Sequence, residues 1–348
     1  LTSQLTEANP LVQLARQFGE ATGKGQALRS ALGTKPNSDD IKKFVEPHRR
    51  GSILVAAVFD AFFTIYQKRT ADLWRIYRAG GGRDNPTDIP QPLANRLCEE
   101  ATTLAEQFFR ICVRALDYSA PVDITFGDYL RAIITADFDL RPRDEIGVRD
   151  ALMQSFRLRG IYPDGAGYFS EGAIAWPRVT PADGLPVVTG LEFGDANGLT
   201  SEQKNKVGAT LRAYAKANWQ KLGFVSDDIQ MPSFHPLFRV NQDGSLRTDM
   251  VVEMVQTRME LFDEKTPSLG SFPLRGGTTL MIQKPTAGEA GAVKNEAHIR
   301  YAISKKLGGK EGEQRLAKQR GTAASLGILE GDGDERFHIN FSMLHEGL

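Results

Sequence analysis

The side chains able to do chemistry in this 348-residue chain are few, and their spacing limits what they can do. Its five histidines are His48, His235, His298, His338 and His345. A catalytic zinc needs ligands brought together, most simply two histidines four apart on one helix face. No two of these histidines stand four apart, and the terminal His345-Glu346-Gly347-Leu348 opens an HExxH pattern without completing it. His338 and His345 are seven apart, which in a strand puts them on opposite faces. Cys98 and Cys112 lie in one helical pattern, separated by about 21 Å of helix, where a disulfide needs Cα atoms within about 7 Å. Free thiols are expected, as in a reducing compartment. The sequence carries no Walker loop, no dinucleotide fingerprint and no G-x-S-x-G elbow. Gly80-Gly81-Gly82 reads as a helix breaker rather than a phosphate cradle.

His48 is the most informative of these groups. It stands in FVEPHRRGSILVAAVFDAFFTIY, residues 44–66, before a helix that is apolar on nearly every side and is therefore expected to be wholly buried. By residue type alone it is a capping or loop histidine, or a group with a role in chemistry. Arg49 and Arg50 form a basic start to the helix, and could also grip a substrate carboxylate. Asp60 inside the apolar run would be costly to bury alone. It is expected to pair, with Arg49, Arg50 or Arg69 as the nearby cations. The acidic series Asp117, Asp123, Asp128, Asp137 and Asp139 reads as caps and turn residues in preference to calcium ligands.

The elements that must position these groups divide the chain. Residues 1–177 read as helices, including a long one from Ser52 to the triple glycine, one from about Pro92 to Leu116, and one stopping at Gly160. Residues 186–307 read as a small antiparallel sheet with one amphipathic helix, whose inner positions include Leu211, Tyr214, Ala215, Ala217 and Leu222. Asp243-Gly244 is the strongest hairpin signal. Residues 308–348 read as a mobile polar linker and a docked terminal strand. The expected class is α+β, a mainly helical domain followed by the sheet domain. Lys plus Arg and Asp plus Glu both total 43, which argues against a dedicated nucleic-acid or anionic-membrane surface. Ser52–Tyr66 is too short to span a bilayer and carries Asp60. The chain begins with Leu1 and shows no secretory signal, so a processed product or fragment in the cytoplasm is expected.

EPHRRGSILVAAVFDAFFTIY, RALDYSAPVDITFGDYLRAIITADFDL and FRLRGIYP resemble the C-terminal part of a bacterial family of gluzincin-type, thermolysin-like zinc metallopeptidases. The resemblance is strongest over residues 10–163. In that family the matching segment follows an HExxH helix and a Glu-x-x-x-Asp helix, and neither motif occurs here. The resemblance therefore implies a hydrolase whose zinc is held by a preceding N-terminal segment, covalent or cleaved. This chain alone is then expected to bind no metal and to be inactive. His48-Arg49-Arg50-Gly51 is similar to the family's pattern around a histidine that donates to the tetrahedral oxyanion. The family's acidic partner for that histidine falls where this sequence has Lys43, so Glu46 or Asp40 would substitute. Arg49, Arg50 and Asp60 would support the site. The implied partners are the zinc-bearing segment and a peptide or protein substrate, with no nucleic acid and no membrane. The alternative is a non-catalytic interaction or scaffold module that recruits a partner through an exposed strand edge.

Overall fold

The computed structural model describes residues 35–44, 47–82, 89–195, 198–240, 246–267, 270–284, 295–326, 329–331 and 337–339. The fold is α+β, and the chain divides into two compact units. The boundary falls at Ala175/Trp176, but Leu116–Thr125 is grouped with the second unit although both flanking helices belong to the first.

The first unit contains α1 (Asp40–Lys43), α2 (Pro47–Ala79), α3 (Gln91–Arg114), α4 (Phe126–Leu140), α5 (Val148–Leu158) and α6 (Glu171–Ile174). α2 begins at Pro47 rather than at Ser52. Proline suits a first helical position, because its φ is preset and its missing N–H would have no helical partner there. α2 is not buried all round. Ile53, Ala56, Ala57, Ala61, Ile65 and Thr70 are its buried residues, whereas Val55 and Thr64 face solvent. That three-and-four spacing marks one inner stripe. Its alanines let α5 come close enough for Ser155 Oγ to donate to the Ala57 carbonyl at 2.6 Å.

α4 has nine buried residues from Gly127 to Asp137, with 132–137 buried without a break. Its small and aliphatic residues pack on every side, where the bulky aromatics of α2 do not. A Cβ on Gly127 would lie 2.3 Å from the Tyr162 carbonyl oxygen, so this glycine permits the close approach. Asp144 caps α5, accepting from the N–H groups of Gly147, Val148 and Arg149 at 2.7–3.0 Å. α5 stops where expected. Gly160 takes φ 70°, and Ile161 N–H donates to Phe156 O at 3.0 Å.

The second unit is an antiparallel sheet in the order β1-β5-β4-β3-β2. Its strands are β1 (Val188–Thr189), β2 (Gln230–Val240), β3 (Leu246–Leu261), β4 (Ser271–Gln283) and β5 (Glu296–Lys305). β2 and β3 pair as the expected hairpin, with Val240 opposite Leu246; Asp243-Gly244 itself lies outside the described residues. α7 (Ser201–Asn218) starts at a capping box, Thr200 accepting from Gln203 N–H while the Gln203 side chain accepts from Thr200 N–H. Val207, Leu211, Tyr214 and Ala215 of α7 pack on Met250, Val252, Met254, Leu280 and Ile282. Ala217, expected inside, is exposed.

Leu116–Thr125 packs on the strands of this sheet. Thr279 Oγ1 donates to the Ser119 carbonyl at 2.6 Å, and the Tyr118 and Tyr301 rings meet edge-on at 5.5 Å. Thr279 is out of phase with the Leu280 that meets α7, so this segment takes the opposite face. The expected polar linker after residue 308 is instead a helix, α8 (Gly309–Leu326). Arg315 secures it to the carbonyls of Lys305 and Lys306 at 3.1 and 2.8 Å. The terminal strand signal appears as β7 (Phe337–Ile339), paired with β6 (Leu329–Gly331).

Candidate functional site

His48 sits inside the first turn of α2 and is half-buried, so it belongs to the helix rather than to a loop before it. Its surroundings are held in place by Arg50. That guanidinium donates to the carbonyls of Ile41 at 2.9 Å and Phe44 at 3.1 Å, and lies 6.0 Å from the Phe126 ring centroid. One side chain thus fastens the end of α1 to the start of α2 and to α4. Arg50 acts as a tie in the fold. Arg49 is exposed and sits over the Phe44 ring, 4.9 Å from its centroid. Glu46 lies outside the described residues.

Asp60 belongs to a different part of the molecule. Twelve residues of helix place it about 18 Å further along α2 than His48. Its partner is Arg159, not Arg49, Arg50 or Arg69. Arg159 is only 3% exposed and also donates to Ser155 O and Ser155 Oγ, at 3.3 and 3.1 Å. Arg69 pairs instead with Glu100 at 2.7 Å. The structure therefore gathers His48, Arg49 and Arg50 at one end of α2, and assigns Asp60 to a structural ion pair.

The remaining candidates are dispersed. Asp137 pairs with the buried Arg149 at 2.8 Å, and Arg149 reaches Glu171 at 2.8 Å, joining α4, α5 and α6. Asp123 meets Arg315, and His235 Nε2 lies 3.4 Å from Asp117 Oδ1. His298 is exposed on β5. Glu346 and His345 lie outside the described residues, as does the side chain of His338. Among the described residues no three His, Cys, Asp or Glu side chains converge to hold a metal ion. Cys98 and Cys112 are free thiols. Burial pushes the Cys112 thiol up, away from the reactive thiolate.

One polar cluster gave no clear signal in the sequence. Asp249 on β3 is fully buried and receives Arg239 from β2 and Arg300 from β5, the latter at 3.0 Å. Arg247 Nε lies 3.7 Å away, and Tyr118 Oη accepts from Arg239 at 3.1 Å. Buried charges persist when paired in this way. Asp249 alternates with Thr248 and Met250 in the strand, which places it on the face away from α7. Pattern reading identifies the face but not the three arginines, which come from separate strands.

One terminal strand of the sheet bears on the alternative of strand addition. β2 is a terminal strand, and it carries Pro232 and Pro236. Each proline removes a backbone donor, a common way of blunting an edge. Among the described residues no helix is long and apolar enough to cross a membrane. Comparison with protein-family models, with curated proteins and with solved structures finds no match for this chain.

Proposed function

We propose that this chain is the C-terminal part of a thermolysin-like zinc metallopeptidase acting on peptide bonds. His48 is its transition-state donor. The observation that carries this reading is the placement of His48 in a turn fixed at both sides. Arg50 ties that turn to Ile41 and Phe44, and the Ser155–Ala57 bond holds the next turns of α2. A donor held by rigid elements can be aimed at a reacting oxygen without reorganising when charge develops.

On this reading the metal and the general base belong to a segment preceding the chain. The contribution of this chain is an imidazole N–H. As the scissile carbonyl is attacked, its oxygen gains negative charge and the N–H···O bond strengthens. When the intermediate collapses and the amine leaves, the charge and the extra stabilisation are both lost. Removing one such donor typically costs about 2.7–4 kcal/mol in the transition state. The two free thiols support a reducing, cytoplasmic setting.

The test joins the chain to its preceding segment and follows cleavage of quenched-fluorescent peptides with and without chelator. Chelator-sensitive hydrolysis is expected. His48→Ala should lower kcat about 100-fold or more while KM changes little. Hydrolysis indifferent to His48→Ala would remove the role assigned here.

A further inference from the structure

α3 carries two apolar seams. The inner one, with Leu97, Leu104, Phe108 and Ile111, is buried in the first unit. The outer one runs Cys98, Thr102, Ala105, Phe109 and Cys112, in alternating steps of four and three residues, with Val113 beside its end. Cys112 is half-buried and the others are exposed, Phe109 by 70% and Val113 by 48%. Alternating steps of this kind keep a strip facing a second helix. The solvent face of a surface helix normally carries its charges. This strip carries none over about four turns. The charges are set along one border instead, as Glu99, Glu106 and Arg110.

The order of these groups is complementary to itself. A two-fold axis crossing the strip at Ala105 would lay a second α3 antiparallel to the first. Glu99 is six residues to one side of that axis and Arg110 five to the other. Each Glu99 then comes level with the other copy's Arg110, to within about 1.5 Å of helix rise. Phe109 comes level with the other copy's Thr102, so the bulkiest group of the strip faces a small one, and Ala105 faces Ala105. A parallel pair would instead oppose Glu99 to Glu99 and Arg110 to Arg110. Within the chain Arg110 lies 3.8 Å from Glu106 and Glu99 lies 3.1 Å from Arg96, and all four side chains are more than half exposed. Glu99 and Arg110 therefore stay accessible to a second copy.

We infer that the chain self-associates through the outer strip of α3, as an antiparallel two-fold dimer centred on Ala105 with a Glu99–Arg110 pair at each end. This goes beyond the peptidase reading and does not depend on it. The contact is isologous, so every favourable pair occurs twice. A single helix strip is at the small end of stable interfaces, and a dissociation constant of about 10 µM is expected.

The test is sedimentation equilibrium of the whole chain from about 1 to 200 µM, a range that brackets this constant. A monomer–dimer equilibrium is expected. Phe109→Glu should weaken it at least tenfold, with circular dichroism and thermal midpoint matching the parent because the side chain is exposed. Glu99→Arg and Arg110→Glu should each weaken it about fivefold, and the double exchange should return it to within about twofold of the parent. A chain that stays monomeric throughout overturns the inference and leaves the strip to a different protein. A dimer unmoved by Phe109→Glu is built on another face and overturns it as well. Failure of the double exchange to recover affinity would overturn the antiparallel register.

Discussion

Arg159 closes on Asp60 across 99 residues of sequence, and Ser155 braces the same guanidinium while bonding the carbonyl of Ala57. One short polar chain thereby locks α5 against the middle of α2. Asp60→Ala leaves an almost fully buried guanidinium without its carboxylate. A loss of about 3 kcal/mol is expected in a urea titration, at the low end for a broken buried pair because Asp60 keeps contact with water. A change below about 1 kcal/mol would show that the pair is incidental.

Gly127 offers a second measurement on the same unit. Gly127→Ala places a methyl group against the Tyr162 carbonyl and the Pro163 backbone, neither of which is a flexible side-chain end. The usual gain from replacing a helical glycine, about 1 kcal/mol, should be reversed. A net destabilisation of about 1–3 kcal/mol is expected from overpacking. A more stable variant would show that the Tyr162–Pro163 backbone gives way readily.

Gly277 makes a similar close approach in the sheet unit. A Cβ there would lie 2.7 Å from Pro121 Cγ and 3.0 Å from Val122 Cγ2. Gly277→Ala should unseat residues 116–125 and raise amide exchange at Tyr118 and Ser119 well before the central strands exchange. Thr279→Val, which removes the donor to Ser119, should act in the same direction by about 1 kcal/mol. Exchange confined to the strands would contradict the packing described.

The helix face of the sheet carries a pH signature. Burial raises the Tyr214 phenol from 10.0 to about 12, and its hydroxyl donates to the Pro186 carbonyl at 2.9 Å. The folded state therefore binds the proton more tightly than the unfolded chain. This contribution to stability is fully present below pH 10 and is lost as the pH rises towards 12. Thermal midpoints should fall over that window, and Tyr214→Phe should fall less steeply. Identical slopes would place the alkaline sensitivity elsewhere. Tyr129 and Tyr66, whose pKa values burial also raises, are further groups to examine.

Much of the architecture was legible because periodicity reports burial directly. The α7 stripe, the Gly160 stop and the β2–β3 hairpin each follow from local spacing or turn chemistry. Hydrophobicity counted along residues 52–66 misjudged α2, since aromatic residues on several sides need not all be covered. The interior place went to α4, whose glycine, alanine and isoleucine residues admit close neighbours. The polar stretch from Gly309 looked like a linker because, among its described side chains, Leu316 is the apolar group packed on the sheet unit, while Arg315 and Arg320 tie the helix to backbone carbonyls. The partners of Asp60 and Asp249 were unreadable for a simpler reason. Pattern shows that a buried carboxylate needs a cation, but only the folded path selects which of 43 basic residues supplies it.

The grouping of Leu116–Thr125 with the sheet unit bears on how this chain could have been assembled. A gene break at Ala175/Trp176 would look natural from domain limits, yet it would sever the sheet from the Tyr118 and Ser119 groups on which Arg239 and Thr279 depend. A break at that point would leave Leu116–Thr125 whole with the helices and the sheet without it.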